Sequence, residues 1–126
     1  MKFLYFWGPV IAVMAVIFYV SSLSDPGAPP GQLSDKGAHI LVYAALGGSL
    51  MRALAEGRAA AMTTTRVAAA FVIATLYGIT DEIHQSFVPD RTPELLDLVA
   101  DASGALIGAL AIAIATRLVH RMLSSG

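Results

Sequence analysis

The chain contains no cysteine, which excludes disulfide staples and thiolate metal sites. It is also poor in charge. Only 13% of its 126 residues are Asp, Glu, Lys or Arg, whereas a soluble domain carries about 25%. So few charges cannot coat the water-facing surface of a chain this small. No glycine-rich phosphate loop and no Ser-His-Asp set can be read from it. The basic residues are scattered and form no patch of the kind nucleic acid requires, so no nucleic-acid partner is expected. The net charge of −1 excludes little by itself.

What the chain has in quantity is apolar sequence: 56% of residues are hydrophobic and the mean hydropathy is +0.69. Residues 3–23 carry no charge, and about 20 apolar residues span a bilayer core. Tyr5, Trp7 and Tyr19 lie near the two ends of this run, where amphipathic rings favour the interface. Pro9 falls in the first turns, where it costs least. A cleaved signal peptide is the competing reading, since Lys2 supplies an n-region charge and Ser22-Leu23-Ser24 a small-x-small site. The run is long for that, and further apolar segments follow.

Asp25-Pro26-Gly27 and Pro29-Pro30-Gly31 interrupt the helix. Ser34 or Asp35 can cap the next one. The spacing predicts helices over about 3–23, 36–54, 66–87 and 97–118, in an all-α, four-transmembrane-helix bundle forming a single domain over 1–126. A soluble bundle would show polar stripes at helical spacing, and Ala105–Ala115 has no polar side chain at all. Gly47-Gly48, and the pair Gly104-x-x-x-Gly108, suit close helix packing in lipid.

Four crossings place Lys2, Arg52, Arg58, Arg66, Arg117 and Arg121 on one side and Lys36 and Arg91 on the other. Basic residues mark the cytoplasmic side. The expectation is a multi-pass protein of the cell membrane with both termini in the cytoplasm. The acids divide the other way, with Glu56 alone inside. The stretch from Ile79 to Asp97 then gathers polar chemistry at the outer face. Asp81 and Gln85 are i,i+4 and share a helix face, as do Asp97 and Asp101, and Asp35 and His39. We expect an outward-opening polar pocket built from Asp35, Lys36 and His39, from Asp81, Glu82 and Gln85, from Arg91, and from Asp97 and Asp101.

Blander roles compete at several positions. Asp35 and Asp97 can be helix caps, and Lys36 an interface anchor. His84 is off the Asp81–Gln85 stripe and is expected to face solvent or headgroups. Asp90 and Glu94 read as solvated loop charges. Asp81, Glu82 and Asp101 are hardest to dismiss, because ionisable groups at membrane depth are expensive. One deep histidine beside carboxylates is thin support for a metal, so neither metal nor cofactor is expected.

The pattern Asp35-Lys36-x-x-His39-x-x-x-Tyr43, followed by Asp81-Glu82-x-x-Gln85-x-Phe87-x-Pro89-x-Arg91, Asp97 and Gly104-x-x-x-Gly108, resembles the VanZ-like family of small polytopic membrane proteins. The resemblance runs from Ser21 to about Gly108. There are two departures: Asp90 stands where the family usually has glycine, and Asp101 where it often has asparagine. The resemblance implies a cell-envelope membrane protein; the name-giving member is associated with low-level resistance to the glycopeptide teicoplanin. It implies membrane lipids, and a lipid-linked or glycopeptide ligand, as partners. Two alternatives stay open: an intramembrane enzyme acting on a lipid-linked substrate, and a small proton-coupled transporter subunit. The oligomeric state is not fixed by any of these residues.

Overall fold

A computed structural model describes all 126 residues. It contains four α-helices and no strand: α1 (Lys2–Ser21), α2 (Asp35–Leu54), α3 (Thr64–Gln85) and α4 (Leu95–Ser124), with a one-turn 3-10 helix at Ala59–Ala61. All four α-helices are long and apolar enough to cross a membrane.

The ends follow from local chemistry. Ser34, rather than Asp35, caps α2, its Oγ accepting from Gly37 N–H at 3.0 Å. Thr63 does the same for α3 through Arg66 N–H at 3.3 Å. Helix α3 stops at Gln85, two residues short of the expected end, as the chain turns toward Pro89. Helix α4 overruns its expected end at 118 and continues to Ser124, because neither Gly nor Pro interrupts it. Its 30 residues make a rod of about 45 Å. That exceeds a core of about 30 Å, so α4 must tilt or project into water.

The bundle combines a close-packed apolar core with an apolar surface. Its interior is rich in small residues: Ala70, Ala74, Ala100, Ala105, Ala109 and Ala113 are all buried. Tyr43, Leu46, Leu50 and Met51 fill the space between them, while many other large side chains point outward, with Ile11, Val72, Leu76, Ile107 and Ile114 each 50–56% exposed. Such a surface suits lipid. Without a hydrophobic drive between helices, association rests on close approach of small residues. The most extensive interface is between α2 and α4, and all four glycines named above lie in it. A methyl added to Gly47 would overlap the Ala105 backbone. At Gly104 it would meet Ile40, and at Gly108 it would meet Ala44. At Gly48 it would meet the Ile112 side chain at 3.0 Å.

Helix α1 sets Val10 and Ile17 into the core and adds polar contacts to its neighbours. Tyr77 Oη donates to Met14 O at 2.7 Å. Arg52 stacks on the Tyr5 ring, 4.4 Å from its centroid, and donates to Tyr5 O at 3.0 Å. His84, expected to face solvent or headgroups, is half-buried and also packs against α1. Its ring stacks on Phe18 at 4.7 Å and its Nε2 lies 3.0 Å from Ser22 Oγ. It sits one turn beyond Asp81 on the side of α3 that meets α1. The antiparallel order brings the end of α1, the start of α2, the end of α3 and the start of α4 together at one acidic end.

Candidate functional site

At this end the nine residues singled out from the sequence fall into two layers. Asp35, His39, Asp81, Gln85 and Arg91 line a cavity of about 280 Å³. Lys36, Glu82, Asp97 and Asp101 do not line it; they sit behind it, where α2, α3 and α4 meet.

The rear layer is an ion-pair network. Lys36 Nζ bonds to Asp97 Oδ1 and reaches Glu94 Oε2 at 2.8 Å. It thus ties the start of α2 to the start of α4. Asp97 is only 6% exposed and makes this pair rather than a cap. Glu94 is no free loop charge: it binds Lys36, and its backbone N–H donates to Glu82 Oε2 at 3.1 Å. Asp101 is fully buried. Its Oδ1 bonds to His39 Nδ1 at 2.7 Å, fixing the imidazole, whose Nε2 lies 3.9 Å from Asp97 Oδ1. Gly78 makes room for this carboxylate: a methyl there would stand 3.2 Å from Asp101 Oδ2. That oxygen has no hydrogen-bond partner in the protein.

The cavity is walled on one side by Val16, Ile17 and Val20 of α1, and covered by the loop Pro26–Pro30. Val16 and Val20 are themselves 55% and 42% exposed, so this apolar wall continues onto the lipid-facing side of α1. The other wall is polar. Arg91 Nη2 donates to Gln85 Oε1 at 3.0 Å, and Gln85 Nε2 donates to Asp81 Oδ2 at 2.9 Å. One amide therefore stands between a guanidinium and a carboxylate. Tyr43 also lines the cavity. It is completely buried, and its hydroxyl has no partner in the protein.

Candidate metal ligands exist at the rim. Atoms of Asp35, His39 and Asp97 come within 4.8 Å of one another. Lys36 already holds Asp97 and lies 3.9 Å from Asp35, so a cation of the protein's own balances this group.

Sequence reasoning did not assign Tyr43, the Pro26–Pro30 cover or Glu94 to the site. Tyr43 was visible as one turn after His39, the same i,i+4 signal used elsewhere. Glu94 and the cover carry no periodic signal, because they come from loops.

A sequence profile of the VanZ/LLP1 family matches residues 13–116. That is most of the chain and all of the cavity-lining residues, and the chain belongs to this family. It is a multi-pass membrane protein. No curated protein and no solved structure matches it significantly.

Proposed function

We propose that the cavity opens to the outside of the cell membrane, with both termini in the cytoplasm, and receives the polar head of an amphiphilic envelope ligand, lipid-linked or glycopeptide in kind. One observation carries this reading. A single cavity has a polar wall of His39, Tyr43, Asp81, Gln85 and Arg91 facing an apolar wall that runs out to lipid along α1. A volume near 280 Å³ is below the usual range for a whole drug-sized ligand, about 300–1,000 Å³. It suits a head group whose chain stays in the bilayer. The excess of basic residues at the opposite end supports the orientation. Low-level teicoplanin resistance, as associated with the family's name-giving member, would follow from altering how such a ligand is presented at the outer face.

The test compares cells with and without the protein for glycopeptide susceptibility and for lipid and muropeptide composition. Asp81→Asn and Arg91→Lys are expressed beside the wild type at matched membrane levels. Asparagine keeps shape but removes charge; lysine keeps charge but loses the planar fork. Both variants are expected to insert and to lose the phenotype. Wild-type behaviour in both would reduce the acidic end to an interface and capping arrangement. One further observation favours an enzymatic form of this reading: His39 is held in one orientation by a buried carboxylate, an arrangement compatible with general acid–base work. A lipid or muropeptide species present only with the wild-type protein would establish it.

A further inference from the structure

The charged groups of the cavity wall are arranged unusually. Arg91 has no carboxylate oxygen within 4.0 Å. Asp81, 6% exposed, has no cation within that distance either. Both residues reach the same Gln85 amide, from its two ends. A direct ion pair would have consumed both charges. The amide instead holds them apart, and both residues line the cavity. The guanidinium uses one N–H on a neutral oxygen and keeps its other donors. The carboxylate accepts one N–H from a neutral amide and keeps its remaining lone pairs. Lys36 does not compete, being committed to Asp97 and Glu94.

We infer that the cavity recognises a zwitterionic head group, a phosphate joined to a primary ammonium by a short linker, with the phosphate on Arg91 and the ammonium on Asp81. This rests on the head-group reading of the cavity given above and names its ligand class. Arginine's fork suits phosphate oxygens in two-point fashion. A primary ammonium brings N–H donors that a carboxylate takes as charge-assisted bonds; a quaternary ammonium has none to offer. A purely anionic head would satisfy Arg91 and leave the Asp81 charge facing it. The Tyr43 hydroxyl, buried on the cavity wall with no partner in the protein, supplies an independent point of attachment for a polar ligand. The apolar wall formed by Val16 and Val20 provides the exit for the acyl chains, so the head belongs to an aminoalkyl phospholipid.

The experiment uses the full-length protein in phosphatidylcholine nanodiscs and measures binding of labelled short-chain phosphatidylethanolamine. Short-chain phosphatidylglycerol, short-chain phosphatidylcholine and soluble phosphoethanolamine serve as competitors. The wild type should prefer the ethanolamine lipid about tenfold or more over the other two lipids, as expected for one charge-assisted hydrogen bond gained. Asp81→Asn should erase the preference for the ethanolamine lipid, lowering its binding while phosphatidylglycerol, relieved of the facing carboxylate, binds no worse than to the wild type. Arg91→Gln should weaken both. Equal binding of all three head groups by the wild type overturns the zwitterion inference. If Arg91→Gln then still abolishes binding, the head-group reading itself survives. If no lipid binds, that reading falls as well. Competition by soluble phosphoethanolamine as strong as by the lipid would overturn the lipid source. The wild-type series needs no variant to fold, so the inference is tested even if Asp81→Asn does not.

Discussion

Gly108→Ala is a one-methyl test of how closely α2 and α4 approach. The added Cβ would stand 2.6 Å from the Ala44 carbonyl carbon and 2.8 Å from its Cα. Relaxed carbon–carbon contacts lie at about 3.5–4.0 Å, so the two helices must part locally by about 1 Å. What the methyl meets is backbone, which cannot swing aside as a side-chain tip can. Overpacking costs about 1–3 kcal/mol, and this site belongs at the upper end, near 3 kcal/mol. The parting would also spread along the seam and strain the Lys36–Asp97 and His39–Asp101 contacts across it. Two controls bracket the effect. At Gly48 the methyl meets the Ile112 side chain at 3.0 Å and the Gly108 backbone no closer than 3.4 Å, so Gly48→Ala should cost about 1 kcal/mol, the low end of overpacking. At Gly8 it meets nothing within 4 Å, so Gly8→Ala should be neutral or stabilise α1 by up to about 1 kcal/mol through helix propensity. Unfolding in mixed detergent micelles, titrated with a denaturing detergent and followed by circular dichroism, gives the order directly. Gly108→Ala as stable as wild type, or no worse than Gly48→Ala, would refute the close α2–α4 approach.

Three further predictions concern single positions. Asp101→Asn keeps an oxygen that can accept from His39 Nδ1, so it should fold with little loss, whereas Asp101→Ala orphans that N–H and should cost about 1–3 kcal/mol; the same unfolding titration separates them. Asp90 has φ +62°, a left-handed conformation that glycine adopts freely, so Asp90→Gly should be neutral or gain up to about 1 kcal/mol while Asp90→Val destabilises. His84→Ala removes both the Phe18 stack and the Ser22 bond. It should loosen α1 from α3, seen as faster protease cleavage in the loop after α1, and leave the α2–α4 seam intact.

The hydropathy runs made the four helices legible, because lipid as a solvent demands long apolar segments and little else has that pattern. The end of α4 was not legible: Arg117, His120 and Arg121 read as a polar tail, yet no residue there breaks a helix. Helical spacing showed that Asp97 and Asp101 share a face, as do Asp81 and Gln85. Spacing does not say what each face meets. That depends on how each helix is rotated in the bundle. The Asp97–Asp101 face turns to Lys36 and His39 of α2, while Asp81 and Gln85 turn to the cavity. Loop residues escaped for a related reason. Glu94 looks solvated in sequence, and only the antiparallel arrangement brings it 2.8 Å from Lys36. The two departures from the family pattern acquire physical meaning here. Asp90 occupies a backbone conformation that glycine prefers. Asp101 holds the His39 ring from behind instead of facing the cavity.

The central claim is that the cavity faces the outside of the cell, and the absence of native cysteine makes it directly measurable. Single cysteines are placed at Ala28, an exposed residue of the cavity's covering loop, and at Ala60, exposed in the connection between α2 and α3. Neither change removes a basic residue. A membrane-impermeant thiol reagent applied to intact cells should label position 28 and reach position 60 only after the cells are opened. Labelling of position 60 in intact cells, with position 28 protected until lysis, would turn the cavity toward the cytoplasm and contradict the account.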